Sequence, residues 1–254
     1  MSEFPLGIDL SRFNYSEDGK VKVDFDAIKN HTEKVSFVAV RSGISWGYAD
    51  CWFARSWSEL KRVDIPRLAY HVFYFGESAQ TQVDNMFRII GDWNEHDRFV
   101  IDLEVAGSNS KATCTATTKS ILNIIKARTG RYPIAYSRTT WVNEHLEVKD
   151  LPAVDWWLAQ YLTRRLWPFV YTPEHPGPYT VPVGVEKALI HQTAEYTPSI
   201  GVSGRKYMDY NRWNGDMLAV LKYFGFDETE PEVPMTLQEQ IDALDKRVTV
   251  LEKG

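Results

Sequence analysis

Short apolar runs recur along the chain, and most of them end in a group that can hydrogen bond or titrate. The first is Leu-Gly-Ile-Asp-Leu at residues 6–10. Runs at 35–41, 66–75, 98–105, 132–137, 155–161, 187–193 and 206–211 follow. Each has the length of a buried strand. The segments between them are spaced like helices, with Phe53, Trp57 and Leu60 on one face and Val83, Phe87 and Ile90 on another. A further helix is expected to start near a capping Thr at Thr115 and to stop at Gly130.

Buried strands alternating with amphipathic helices predict βα units around a parallel sheet. The number of units within one domain's length favours a closed barrel over an open doubly wound sheet. No Gly-rich phosphate fingerprint follows the first strand, which also counts against a nucleotide-binding sheet. Between Tyr161 and Val185 the chain is rich in Pro and aromatics and has no helical period. The expected class is therefore α/β: an irregular TIM-like β/α barrel with helices missing around its last strands.

The pattern changes after Phe226. Residues 1–226 form the expected catalytic barrel, and residues 227–234 an acidic, Pro-containing linker. Residues 235–254 carry Leu237, Ile241, Leu244, Val248 and Leu251 at alternating spacings of four and three. That is a heptad seam with β-branched residues at a and leucine at d, which favours a parallel two-stranded coiled coil. A homodimer or a docking partner is expected there; the alternative is a helix folded back onto the barrel.

Composition narrows the partners. The net charge is -5 and no basic tract is present, so no nucleic-acid partner is expected. Nine Trp and thirteen Tyr suit a neutral polymer such as a glycan, whose rings stack on aromatic faces. Cys51 and Cys114 are too few for a zinc pattern or a disulfide framework, and buried free thiols are expected, with one disulfide as the alternative. The N-terminal stretch lacks the basic and apolar regions of a signal peptide, and no run approaches a membrane span. A soluble protein made in a cytoplasm is the expectation.

In barrels of this kind the functional side chains sit at the C-terminal strand ends. Those ends offer Asp9, Arg41, His71 or Tyr74, Asp102 with Glu104, Tyr136, Gln160 with Tyr161, Gln192, and Asp209. Asp102 and Glu104 point to the same side of one strand, with Cα atoms roughly 6–7 Å apart, and Val100 shares their face. Phe99 and Ile101 face the other way. At that separation one carboxylate disfavours ionisation of the other, so one can stay protonated as a general acid. Asp9 and Asp209, on the first and last strands, adjoin when the barrel closes. Paired carboxyls with separated pKa values are the working parts of glycoside hydrolysis.

Three alternatives remain open on spacing alone. Clustered carboxylates also bind Mg²⁺ or Ca²⁺, although no His-x-His or His-Glu-x-x-His pattern accompanies them. A serine hydrolase needs a nucleophile elbow, and the residues around Ser203 lack its spacing. The third alternative is a set of ordinary surface acids.

Gly-Ile-Asp-Leu-Ser near the N-terminus, Tyr-His-Val-Phe-Tyr-Phe, Val-Ile-Asp-Leu-Glu-Val, Trp-Trp-Leu-Ala-Gln-Tyr, His-Gln-Thr and Tyr-Met-Asp-Tyr-Asn occur in the order of glycoside hydrolase family 25. The chain resembles these muramidase lysozymes, phage endolysins among them, over residues 6–224. The resemblance implies cleavage of the β-1,4 bond after N-acetylmuramic acid in bacterial peptidoglycan, without a cofactor or metal. It implies Glu104 as proton donor, with Asp9, Asp102 and Asp209 lining the cleavage point. Tyr136, Tyr161, Trp157 and Gln192 are the implied sugar contacts, Trp156 being the alternative to Trp157; Tyr74 and Arg41 join them as substrate-binding candidates from their strand ends. The nucleophile, a carboxylate or the substrate's acetamido group, stays open. A non-catalytic glycan-binding or virion structural module on the same fold is the competing reading. The chain departs from the family in the loop after Arg41, in a longer first loop and in Thr193, where an aromatic is frequent. With no signal peptide visible, the resemblance implies a phage lysin acting on the cell wall.

Overall fold

A computed structural model describes residues 4–16, 21–161, 179–194, 199–202 and 208–226. The expected linker and heptad seam lie outside the described residues, as does most of the Pro-rich stretch after Tyr161.

Nine strands form one sheet: β1 (Leu6–Leu10), β2 (Val35–Ile44), β3 (Tyr48–Ala49), β4 (Arg67–Tyr74), β5 (Arg98–Val105), β6 (Ile134–Ser137), β7 (Trp156–Ala159), β8 (Ile190–Ala194) and β9 (Asp209–Trp213). Pairing of β1 with both β2 and β9 closes eight of them into a barrel, and β3 is a short antiparallel outgrowth of β2. Strands β1 to β8 of the barrel run parallel, whereas β9 runs antiparallel to both neighbours. A parallel neighbour needs a crossover helix, and an antiparallel one does not. The sequence expectation of a parallel sheet therefore fails at its last strand.

Six helices are described: α1 (Phe25–Lys29), α2 (Phe53–Arg62), α3 (Ala79–Ile90), α4 (Lys111–Thr129), α5 (Thr139–His145) and α6 (Met217–Phe224). Side chains of Asp24, Ser78, Ser110 and Asp216 cap α1, α3, α4 and α6. Helix α4 thus begins before the expected Thr cap: Ser110 accepts from the Thr113 amide, and Thr115 instead bonds back to the Lys111 carbonyl. It ends at Gly130, in the left-handed conformation. Helices α5, of seven residues, and α6, of eight, span only about two turns each, too short to show a helical period in the sequence.

Strand alternation divides the core in two. Outward residues such as Ile8, Val38, Ile101 and Leu158 pack beneath the helices. Inward residues Phe37, Ala39, Leu68, Val100, Ile134, Trp157, Ile190 and Trp213 fill the barrel, and Val220 and Phe224 of α6 join them. Gly7 is required by this filling, because a Cβ there would stand 2.2 Å from the Phe37 ring. Helix α6 closes the N-terminal end of the barrel. Arg98, at the start of β5, donates to the Tyr223 carbonyl near the end of α6. The other end stays open.

Candidate active site

The open end holds a cavity of about 350 Å³, lined among others by Asp9, Arg41, Asp102, Glu104, Tyr136, Trp157, Gln192 and Asp209. Each side chain arrives by alternation, one step above the apolar filling. Val100 belongs to the barrel interior, and Asp102 and Glu104 follow it on the same face of β5. Asp9 stands two residues above Gly7. Asp209 faces Asp9 directly in the β1–β9 register, because antiparallel β9 begins at the mouth.

Asp9 is the hub of a polar network. Its Oδ2 accepts from Gln192 Nε2 at 2.9 Å and from Asn211 Nδ2 at 3.0 Å. Gln192 Oε1 in turn accepts from the hydroxyls of both Tyr136 and Tyr161, each at 2.8 Å. Those two donors fix which way the amide points. Asn211 Oδ1 accepts from Trp157 Nε1 at 2.8 Å, which ties the tryptophan to the network. Burial pushes the Asp9 carboxyl up to about 6, even though hydrogen bonds from Asn211, Gln192 and Asp209 pull it down.

Asp102 and Glu104 differ in their surroundings. Asp102 is buried, and its Oδ1 has no hydrogen-bond partner among the described residues. Burial, followed by the charge of Glu104, raises it well above the usual carboxylate range. Glu104 keeps 35% of its side chain exposed, and Arg138 Nε lies 3.6 Å from its Oε1. Burial raises Glu104 too, while Arg138 opposes the rise. Asp102 is thus the deeper of the two, and Glu104 is the one that stands beside a cation. Strand spacing alone does not reveal depth.

The remaining expected residues divide. Arg41 lines the cavity and is clamped by Asp50, with Nε to Oδ2 at 3.0 Å. Both tryptophans of the pair are buried, Trp157 inward and Trp156 outward. Tyr161 does not line the cavity but reaches Gln192. Tyr74 does not line it either, since a register shift between Val72 and Tyr74 ends the regular alternation; Tyr70 takes that place. His71 points outward, hydrogen-bonded by Nδ1 to Ser42 and by Nε2 to the Ser45 carbonyl, and burial pushes it down to about 4. It is a neutral packing residue. Cys114 is buried as expected, but Cys51 is exposed; both are free thiols.

Sequence reasoning missed Tyr70, Asn211, Phe13 and Arg138. Tyr70 and Asn211 had a signal: each lies on the inward face at period two, with Leu68 and Asp209 respectively. Phe13 and Arg138 had none, because a loop and a helix start place them. Among the described residues, no group of three or more His, Cys, Asp or Glu side chains is arranged to hold a metal ion. No helix among them is long and apolar enough to cross a membrane.

Comparisons with known proteins bear on the fold and the family. The uncharacterized protein YegX of Escherichia coli is 26% identical over 165 residues, spanning 63% of this chain and 57% of the relative. The chain thus matches little more than half the length of that relative. The bacterial lysozyme of Streptomyces coelicolor superimposes with a TM-score of 0.69 at 20% identity, covering 88% of this chain and 98% of its own. The catalytic domain of endolysin ply40, from bacteriophage P40 of Listeria monocytogenes, gives 0.63 at 16% identity, covering 88% and 98%. A sequence profile described as glycosyl hydrolases family 25 matches residues 8–171, well over half of the chain. A closed barrel with one reversed strand, four carboxylates at its open end and a family profile running from β1 past β7 lead to one assignment: this chain belongs to glycosyl hydrolases family 25.

Proposed function

We propose that the chain is a muramidase of the phage lysin kind, hydrolysing the β-1,4 bond between N-acetylmuramic acid and N-acetylglucosamine in peptidoglycan. The observation that carries the reading is the convergence of Asp9, Asp102, Glu104 and Asp209 on one open cavity, with burial raising three of them. Family membership and the likeness of the fold to a lysozyme and an endolysin support it.

Glu104 is the group best placed to protonate the leaving oxygen, being raised yet accessible. A glycan lying over it removes water from a carboxyl that is now partly solvated, which raises it further. The other three acids, when ionised, supply negative charge for an oxocarbenium-like transition state. Asp102 lines the cavity, and its Oδ1, without a partner among the described residues, can accept a donor such as the acetamido N–H of a sugar seated there. Tyr136, Tyr161 and Asn211 hold the Gln192–Asp9 network rigid, so the charge is preorganised.

Release of reducing ends from purified peptidoglycan tests the reading. The parent chain should release them, and Glu104→Gln should lower the rate by about 10²–10⁴-fold. Equal rates would remove Glu104 from its role. No release by the parent on walls of several compositions would leave a glycan-binding module instead.

A further inference from the structure

A second hollow, of about 370 Å³, lies at the closed end of the barrel and is as large as the catalytic cavity. Its walls come from the loop before β5, the turn after α4 and the end of α6, and they include Trp93, Arg98, Arg131, Tyr132 and Tyr223. Two of its aromatics stay open to solvent, Trp93 at 38% and Tyr132 at 36%. In β/α barrels the end opposite the active site serves stability, and stability gains nothing from leaving large rings exposed.

The ring positions are set from beneath. Trp93 meets Phe99 edge to face at 5.4 Å and Phe87 at 6.3 Å. Tyr132 carries the Lys126 ammonium 5.3 Å from its ring centre. The two cations of the hollow differ. Arg98 is committed to the backbone, donating to the carbonyls of Glu95, Asp97 and Tyr223. Arg131 has no side-chain hydrogen bond or ion pair among the described residues, only backbone bonds with Thr129. The acids of the hollow are occupied or peripheral: Asp97 is paired with Arg67 at 2.6 Å, and Glu95, 85% exposed, lies 3.7 Å from His96. A free guanidinium beside two exposed rings is a combination that recognises a sugar ring bearing a carboxylate.

We propose that this hollow is a second peptidoglycan site, in which Trp93 and Tyr132 stack on a sugar ring and Arg131 takes a carboxylate of the attached peptide stem. The proposal rests on the muramidase reading for its choice of polymer. Glu104 stands about 20 Å further along β5 than Arg98, at the opposite end of the barrel. A glycan strand lying across the mouth does not reach the hollow, so its occupant is a neighbouring strand of the same wall. Holding two strands at once makes each rebinding event intramolecular, which matters for an enzyme working on an insoluble mesh.

The test uses the full chain, with Trp93→Ala and Arg131→Glu as variants, on two substrates. One is sedimentable peptidoglycan sacculi stripped of secondary polymers with acid; the other is a soluble glycan fragment of two or three disaccharide units, long enough to contain the bond between N-acetylmuramic acid and N-acetylglucosamine. Both variants should bind sacculi about tenfold more weakly while turning over the soluble fragment within about twofold of the parent rate. Unchanged binding to stripped sacculi, with soluble turnover intact, would overturn the proposal. So would a loss that appears only on unstripped walls, since the ligand would then be a secondary polymer. Arg131 is exposed, so Arg131→Glu discriminates even if Trp93→Ala loosens the Phe87–Phe99 packing. Failure of the parent to cut the soluble fragment would instead count against the muramidase reading, and that outcome is separately visible.

Discussion

The two ends of the barrel interior are built from the same strands yet do opposite things. Toward the closed end, Phe37, Val100, Ile134 and Trp213 form one apolar cluster that α6 joins through Val220 and Phe224. At the open end, Asp9, Arg41, Asp102 and Gln192 stand one or two residues further along, buried nearly as deeply. Burial stabilises the first set and costs free energy in the second, because carboxylates lose water that hydrogen bonds only partly replace. One strand, β5, crosses that divide between Val100 and Asp102. The lower layer supplies the stability that lets the upper layer hold unfavourable charge.

Emptying the closed end should break the comparison most severely. Phe224→Ala removes a fully buried ring from the interior cluster and should destabilise the protein by about 3–5 kcal/mol, read by denaturant unfolding. A loss well under 1 kcal/mol would show that α6 is not part of the support.

The pH dependence of stability should respond next. Asp9 has its folded pKa raised from 3.8 to about 6, so its contribution is fully present below 3.8 and is lost as pH rises through 6. His71, on the outer face, has its pKa lowered from 6.5 to about 4, so its contribution is present above 6.5 and is lost as pH falls through 4. The two slopes oppose each other between pH 4 and 6.5. Asp9→Asn can still accept from Gln192 or Asn211 through its amide oxygen and should remove only the first slope. The variant should gain roughly 2 kcal/mol over the parent between pH 4 and 7, moving its stability maximum upward. Parallel pH–stability curves for the two proteins would refute the assignment.

The smallest effect is expected at Asp102, and it sharpens the contrast within the acid pair. Asp102→Asn replaces a buried carboxyl whose Oδ1 has no partner among the described residues. Stability at neutral pH should rise by on the order of 1 kcal/mol while activity on peptidoglycan falls, the pattern of a site held at the expense of stability. Thermal melting alongside the reducing-end assay checks both halves. A destabilised Asp102→Asn would mean that the carboxylate is satisfied by contacts the strand geometry does not supply.

Much of this organisation was legible in one dimension. Eight of the nine strands fall within or close to the apolar runs, and the alternation that separates Phe99 and Ile101 from Val100, Asp102 and Glu104 is a property of any strand. The meeting of Asp9 with Asp209 followed from barrel closure. Where reading by position failed, a non-local contact had intervened. Tyr74 lost its place to Tyr70 because a register shift breaks the alternation of β4 near its end. The start of α4 moved to Ser110 because either Ser or Thr caps well, and position in the fold chose between them.

What the amino-acid sequence determined by itself was the periodic placement of apolar and polar side chains, and with it most of the strands, helices α2 to α4 and the list of acids. Periodicity is local, so it survives without knowledge of neighbours. Only the tertiary structure decided the reversal of β9, the depth of each acid and the arrival of Arg138 beside Glu104. Those features set the proton affinities, because desolvation and charge act through space between residues far apart in the chain. The unequal pair Asp102 and Glu104 shows the division plainly: adjacency on one face was written in the strand, and the burial of one and the Arg138 neighbour of the other were written in the barrel around them.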